Sequence, residues 1–416
     1  MAHRKNLWTR LWLCTITLAV GGNFDQDCLA QSQSSLTASR DSLPLPAPQR
    51  LLDWTGSPGG CFSVAADRLR NELHLIVGDR STLFHSRSAD GGDTWSPLKE
   101  LVRGESPDAA VDQRGNLHVV YKSPDHDGRI EHRSLGDGQL SEATDISASE
   151  GDRPATFLAP RIALDGGDNV HVVYWSILRG GDKRDGFRMG YAHRKDGNPA
   201  FDPVELWRDQ RQVGFSKYGD LFVDEQGNIH IFQVTNSNMS HGIERRIRKP
   251  TGEWIAHDRW ESKLMADWSL STAVGRDGVV HVAMQRIVDQ KPRVLYLNNR
   301  DERDELAMVF DGGPDTTETY TDLLLEDDGA VWLATGHREG PGRGSSSPLN
   351  VAKLYRADAE TGVWSTGAAL SPAGAVNLTS RAAGHPRLAR CGGKTRVVYL
   401  ESDDGQRWTL WQRVLK

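Results

Sequence analysis

Seven segments of this chain align on a single column, and five of them place a histidine there. They read AADRLRNELHLIV (His74), AAVDQRGNLHVVY (His118), IALDGGDNVHVVY (His171), LFVDEQGNIHIFQ (His230), TAVGRDGVVHVAM (His281), LLLEDDGAVWLAT (Trp332) and RLARCGGKTRVVY (Arg396). Successive column residues are 44, 53, 59, 51, 51 and 64 apart. A repeat of roughly 50 residues punctuated by turns, strands and glycines is the sequence mark of a β-propeller, where each repeat is one small sheet that buries its faces on its neighbours. The expected fold is all-β, a seven-bladed β-propeller, with six blades as the alternative.

Each repeat parses into four strands, A to D. Strand A is a short apolar run such as 109–111, 162–164 or 323–325, and the D-x-x-G-N stretch after it is a tight turn in which Asp bonds the backbone and Gly takes positive φ. The histidine column stands on strand B. The seventh repeat stops early, with room for strands B and C only after Arg396. Arg50-Leu51-Leu52-Asp53-Trp54 matches the ends of the D strands, so the N-terminal strand is expected to complete the last blade and close the ring.

The first 48 residues are of another kind. His3, Arg4, Lys5 and Arg10 precede an apolar run over 11–20, too short to span a bilayer, and Cys28-Leu29-Ala30 supplies small residues for cleavage. Residues 1–30 read as a secretory signal, which places the protein outside the cytoplasm, secreted or periplasmic. Residues 31–48, rich in Ser, Gln and Pro, read as a disordered linker, and 49–416 as the propeller. No later segment reads as a transmembrane span, and a net charge of −6 opposes nucleic-acid binding. Beyond the signal only Cys61 and Cys391 remain, at opposite ends of their strands, so free buried thiols are expected rather than a bridge. A monomer is expected.

Ser88-Ala89-Asp90-Gly91-Gly92-Asp93-Thr94-Trp95 fits S-x-D-x-G-x-T-W at every specified position, between strands C and D. It resembles the Asp-box of sialidase-like propellers, where the Asp ties the turn and the Trp packs between sheets. The chain departs from sialidases in lacking an aromatic-Arg-Ile-Pro segment and in having seven repeats rather than six. Thr319-Tyr320-Thr321-Asp322-Leu323 is similar to the sialidase stretch that holds the nucleophilic tyrosine, which implies that role for Tyr320. Some secreted polysaccharide lyases also use seven-bladed propellers of this repeat type, with His, Tyr and Arg in place of paired carboxylates.

The histidines do not point to a metal. Equivalent positions on a ring of blades cannot converge on one ion, so each is expected to bond its own turn. A second column does converge. Ten residues earlier, at the mouth of the innermost strand, stand Asp108, Arg161, Asp220, Ser271 and Asp322, with Arg387 equivalent after a shorter turn. Tyr218 and Tyr320 lie two residues before that column. Asp108, Asp220, Asp322, Tyr218 and Tyr320 are candidate catalytic groups, since paired carboxylates or Tyr with a carboxylate suit glycoside cleavage. Arg161, Arg387 and Lys217 are candidates for holding an anionic sugar, and Trp175 and Trp268 for stacking on sugar rings. The expected partner is an extracellular, anionic glycan, bound and cleaved by hydrolase or lyase chemistry without metal or cofactor. The alternative is a non-catalytic propeller that binds glycan or protein.

Overall fold

The computed structural model describes residues 43–55, 62–79, 81–125, 128–147, 155–178, 187–207, 219–236, 241–262, 266–275, 277–288, 291–298, 307–311, 316–339, 349–359, 362–370, 386–402 and 407–416. Among these the secondary structure is all strand and falls into seven antiparallel sheets, the expected seven-bladed propeller. The first strands of the blades are Phe62–Asp67, Glu105–Val111, Ala155–Leu164, Gly219–Val223, Ala266–Val274, Thr316–Leu325 and Arg387–Cys391. Each lies against the first strand of the next blade, and Arg387–Cys391 against Phe62–Asp67, so these strands surround the axis.

The gaps between blades hold the core. Apolar clusters fill all seven, two of them in the gap between the last and first blades: Tyr121 and Leu83 join the first two blades, Val172 and Val120 the next, and Leu354 and Tyr399 the last two. A sheet covered on both faces reads as a continuous apolar run, which is why the whole of 117–121, Leu-His-Val-Val-Tyr, is buried.

The ring closes as expected. Gln49–Thr55 pairs antiparallel with Arg407–Val414, bringing Trp54 opposite Trp408, and becomes the outer strand of the seventh blade. Gln412 Nε2 donates to Gln49 Oε1 at 2.7 Å, and the Gln49 side chain donates to the Asp93 carbonyl at 2.9 Å. Both strands of this pair are thus tied to the 88–95 turn of the first blade, Gln412 through the Gly92 carbonyl. Arg396, fully buried, adds a 2.9 Å bond to Asp93 Oδ1. Residues 43–48 depart from the linker expectation. Leu43 and Leu45 pack on the cluster containing Trp332, Leu354 and Tyr399, and the Arg413 guanidinium donates to the Pro46 carbonyl.

The turns behave as their chemistry dictates. Asp112, Asp165 and Asp224 each accept the backbone N–H and the side-chain amide of Asn116, Asn169 and Asn228, and Gly115 and Gly227 take positive φ. Three of the five column histidines bond these turns, while His74 Nδ1 faces His85 Nε2 and His281 Nδ1 the Tyr296 hydroxyl. His118, His171 and His230 place Nε2 at 3.4, 3.2 and 2.9 Å from Asp112, Asp165 and Asp224. Trp332, in the same column, donates Nε1–H to Glu326 at 3.0 Å. In the 88–95 turn Asp90 accepts from the Thr94 hydroxyl, the Thr94 N–H and the Ser88 hydroxyl, which hold its carboxyl far below the ordinary range. Trp95 packs between the first and last blades. Cys391 is a free, buried thiol; Cys61 lies outside the described residues.

Candidate functional site at the axis

The converging column is a true ring. Asp108, Arg161, Asp220, Ser271, Asp322 and Arg387 pair with Val120, Val173, Phe232, Ala283, Ala334 and Val398, each two residues beyond the histidine column. The first blade contributes Ser63, opposite Ile76, at the same register. Ser63 escapes a ten-residue offset because the turn from Asp67 to Glu72 is one residue longer than its counterparts, with Asn71 at φ 56°. Ser63, Asp220 and Arg387 are the first or second residue of their innermost strands, whereas Asp108 is the fourth, Ser271 the sixth, and Arg161 and Asp322 the seventh. The Asp90 turn follows Ser88, which pairs with Leu73 at the other end of the blade, so ring and turn lie on opposite faces.

The innermost strand is a sheet edge, and its axis-facing N–H groups have no ladder partner. Buried donors of this kind must be satisfied. The ring side chains do so across the gap to the next blade. Ser63 Oγ accepts from Ala109 N at 3.2 Å, Asp108 from Ile162 N at 3.0 Å, and Asp220 from Thr272 N at 2.7 Å. Ser271 Oγ accepts from Leu323 N at 2.8 Å and Asp322 from Leu388 N at 2.6 Å. At the closing step Arg387 instead donates Nε–H to the Phe62 carbonyl at 3.3 Å. Pro107, Pro160 and Pro386, immediately before three ring residues, remove the next axis-facing N–H altogether.

Each ring arginine stands beside the aspartate of the preceding blade. Arg161 Nη1 is 3.8 Å from Asp108 Oδ1, and Arg387 Nη1 is 3.6 Å from Asp322 Oδ1. Burial pushes the Asp220 carboxyl above its ordinary range, with Arg161 and Thr272 acting against it. Burial does the same to Asp322, opposed by Arg387, the Leu388 N–H and Arg161.

Two of the remaining candidates are described by their backbone only and two not at all. Lys217 and Tyr218 lie outside the described residues. Tyr320 is on the strand Thr316–Leu325, with its backbone in unbroken register with Asp322, opposite Gly336; Trp268 is on Ala266–Val274. Trp175 does not fit its expected part. It is 2% exposed, packed with Met189, Tyr191 and Leu221 between the third and fourth blades, so it offers no face to a ligand. Among the described residues no group of three or more His, Cys, Asp or Glu could hold a metal ion.

The clasp yields a direct test. Asp108→Ala leaves the Ile162 N–H without its acceptor and should cost about 1–3 kcal/mol in urea unfolding, whereas Asp108→Asn retains a carbonyl acceptor and most of that stability. Equal stability of Ala variant and parent would show that the carboxylate does not join the blades.

No family model matches the chain, and no curated protein matches it. Among solved structures it is similar to an ulvan lyase of a new polysaccharide lyase family, PL25, with a TM-score of 0.53 at 11% identity over 88% of this chain and 95% of that one. The polysaccharide lyase Uly1 is similar with a TM-score of 0.51 at 11% identity, over 93% and 95% of the two chains. A protein of unknown function from Dyadobacter fermentans is similar with a TM-score of 0.51 at 12% identity, over 89% and 100%. At such identities what is shared is the fold, and it is the propeller fold of polysaccharide lyases that the sequence resembles.

Proposed function

We propose that this is a secreted, glycan-acting propeller whose ligand sits over the axial ring, on the face where the chain enters the innermost strands. The observation that carries the reading is the single register at which seven polar side chains from seven blades meet around the axis, two of them arginines. Concave sites of this kind, with a few convergent polar groups, are where propellers take ligands. An ulvan lyase of the same fold is described bound to -[GlcA(1-4)Rha3S]-, and an acidic glycan of that chemical class suits Arg161 and Arg387 here.

In this reading the arginines hold and neutralise the acidic group of the sugar, and Lys217 adds to the basic mouth. Neutralising a uronate carboxylate acidifies the neighbouring C–H, the requirement for β-elimination; a base removes that proton and an acid returns one to the leaving oxygen. Tyr320 and Tyr218 are the candidates for those transfers, or for nucleophilic attack in a hydrolase. Asp108, Asp220 and Asp322 act on the ring itself, orienting the arginines, and Trp268 is the remaining stacking candidate.

Incubating the protein with uronate-containing, sulfated and sialylated glycans tests the reading. Ultraviolet absorbance of an unsaturated product marks a lyase, and reducing-end release without it marks a hydrolase. Tyr320→Phe should lower turnover by about 10²-fold or more with binding intact, since a positioned acid or base contributes that much. Parental turnover in Tyr320→Phe would remove Tyr320 from the chemistry. One observation favours the second reading, binding without cleavage: the ring carboxylates are already committed to the neighbouring blade's N–H groups.

A further inference from the structure

Seven N–H groups share one register on the axis-facing edge of the innermost strands, each on the residue after a ring residue. Ala109, Ile162, Thr272, Leu323 and Leu388 donate theirs to the ring side chain of the preceding blade. Leu221 donates to Asp220 Oδ1 of its own blade at 3.0 Å. Among the described residues Val64, in the first blade, is the one of the seven without an acceptor. It stands opposite Leu75 as Ala109 stands opposite Val119, so its N–H points to the axis as that of Ala109 does.

The cause lies in the seventh blade. Arg387 stands where an acceptor belongs, and a guanidinium has only donors. It gives Nε–H to the Phe62 carbonyl at 3.3 Å, two residues before Val64 on the same strand edge. Its Nη1 is 3.6 Å from Asp322 Oδ1, longer than a hydrogen bond. Of its five N–H donors one is accepted, and the side chain is 14% exposed. The seam between the last and first blades therefore presents, at the axis, a cation and a backbone N–H that both call for an acceptor. Away from the axis the same seam is tied by Arg396 to Asp93 and by Gln412 to the Gly92 carbonyl. A clasp repeated around the ring and given up beside a partly buried cation points to a ligand rather than to folding.

We propose that an anionic oxygen of the glycan, from a carboxylate or a sulfate, binds at this seam between the Arg387 guanidinium and the Val64 N–H and serves there as the missing clasp between the last and first blades. This rests on the glycan-acting reading and says how its ligand is held. One oxygen can take both donors, as Asp220 Oδ2 accepts from the Thr272 N–H and hydroxyl at 2.7 and 2.8 Å. The anion is then read by the backbone as well as by charge.

Calorimetric titration with a tetrasaccharide of alternating uronate and sulfated sugar, with its desulfated form and with its carboxyl-reduced form, tests the clasp and identifies the anion. Val64→Pro removes the N–H and no charge, at an edge position where proline costs no ladder bond. It should weaken the tetrasaccharide about 10-fold, and Arg387→Gln, which keeps an amide for the Phe62 carbonyl, by about 10-fold or more. The modified sugar that has lost the seam's anion should bind parent and variants alike. In hydrogen exchange the tetrasaccharide should protect one further amide within 62–67 of the parent and none there in Val64→Pro. Thermal melts check folding, and should Val64→Pro melt early, the exchange of the parent decides. Full affinity in Val64→Pro, or no added protection within 62–67, would overturn the clasp, with water serving the Val64 N–H, and leave a glycan ligand in place. Failure of the parent to bind any acidic glycan would overturn the glycan reading itself, and the clasp with it.

Discussion

Deleting residues 1–55 will lower the melting temperature by roughly 10 °C or more and turn a soluble protein into one that aggregates, while deleting 1–42 will leave both unchanged. The longer deletion removes Gln49–Thr55, the outer strand of the seventh blade, and with it the ladder to Arg407–Val414. Leu51 and Leu52 leave the cluster of Phe62, Leu75, Val398 and Leu410; burial of each such side chain is worth about 1.5–3 kcal/mol. The bonds from Gln49 to Gln412 and to the Asp93 carbonyl go as well. Together this is on the order of 5 kcal/mol, a large share of the 5–15 kcal/mol by which folded proteins are stable. The exposed edge of Arg407–Val414 would then template pairing between molecules. Deletion of 1–48 is the intermediate case, because it strips Leu43 and Leu45 from the cluster between the sixth and seventh blades. Differential scanning calorimetry with light scattering on the three truncations checks the order. A melt for the 1–55 deletion equal to that of the parent would mean that the ring closes without its N-terminal strand.

Blade number, ring closure and the turn-bonding role of His118, His171 and His230 were legible in the sequence, because each depends on short-range spacing that recurs. Asp112, Asn116 and His118 belong to one turn and the strand after it, and their pattern repeats at Asp165, Asn169 and His171. The site was legible in position and not in purpose. Asp108 looks like a catalytic carboxylate until its partners are known, and those partners, Ser63 and Ile162, lie 45 and 54 residues away in two other blades. Trp175 was misplaced for a different reason. Strands sandwiched between blades are buried on both faces, so no alternation of polar and apolar residues tells which side chains face a neighbour and which reach the mouth. Ser63 was hidden by one extra residue in a turn, a change too small to disturb the repeat and large enough to break a fixed offset.

Acidification from pH 6.5 to pH 4 will destabilise the propeller steeply, well before its carboxylates titrate. Two histidine pairs set this up. His74 Nδ1 lies 3.1 Å from His85 Nε2 with the rings stacked, and His118 Nδ1 lies 3.1 Å from His132 Nε2. A hydrogen bond between two imidazoles needs one N–H donor and one bare acceptor nitrogen, so protonating the acceptor nitrogen breaks it, and protonating either ring puts a charge into the gap. Burial pulls His74, His85 and His193 down to about 4, and lowers His118 and His132 too; for His118 burial outweighs the attraction of Asp112. An unfolded histidine titrates near ~6.5, so between that pH and about 4 the unfolded chain holds more protons than the folded one, and stability falls as pH falls. One histidine shifted this far contributes about 3 kcal/mol at full linkage, and coupled neighbours contribute less than twice that. Asp220 and Asp322 work in the opposite direction, since burial raises them and the folded state takes up their protons first. Asp90 and Asp165, held below their ordinary range, add their loss only under about pH 4. Guanidinium unfolding at half-unit steps from pH 7.5 to 4 should give a midpoint that falls continuously below pH 6.5. His132→Phe should make that slope shallower, whatever it does to stability at pH 7.5. A midpoint that stays flat down to pH 4.5 would mean that the paired rings accept protons in place, and that the gaps between the first three blades are not dry.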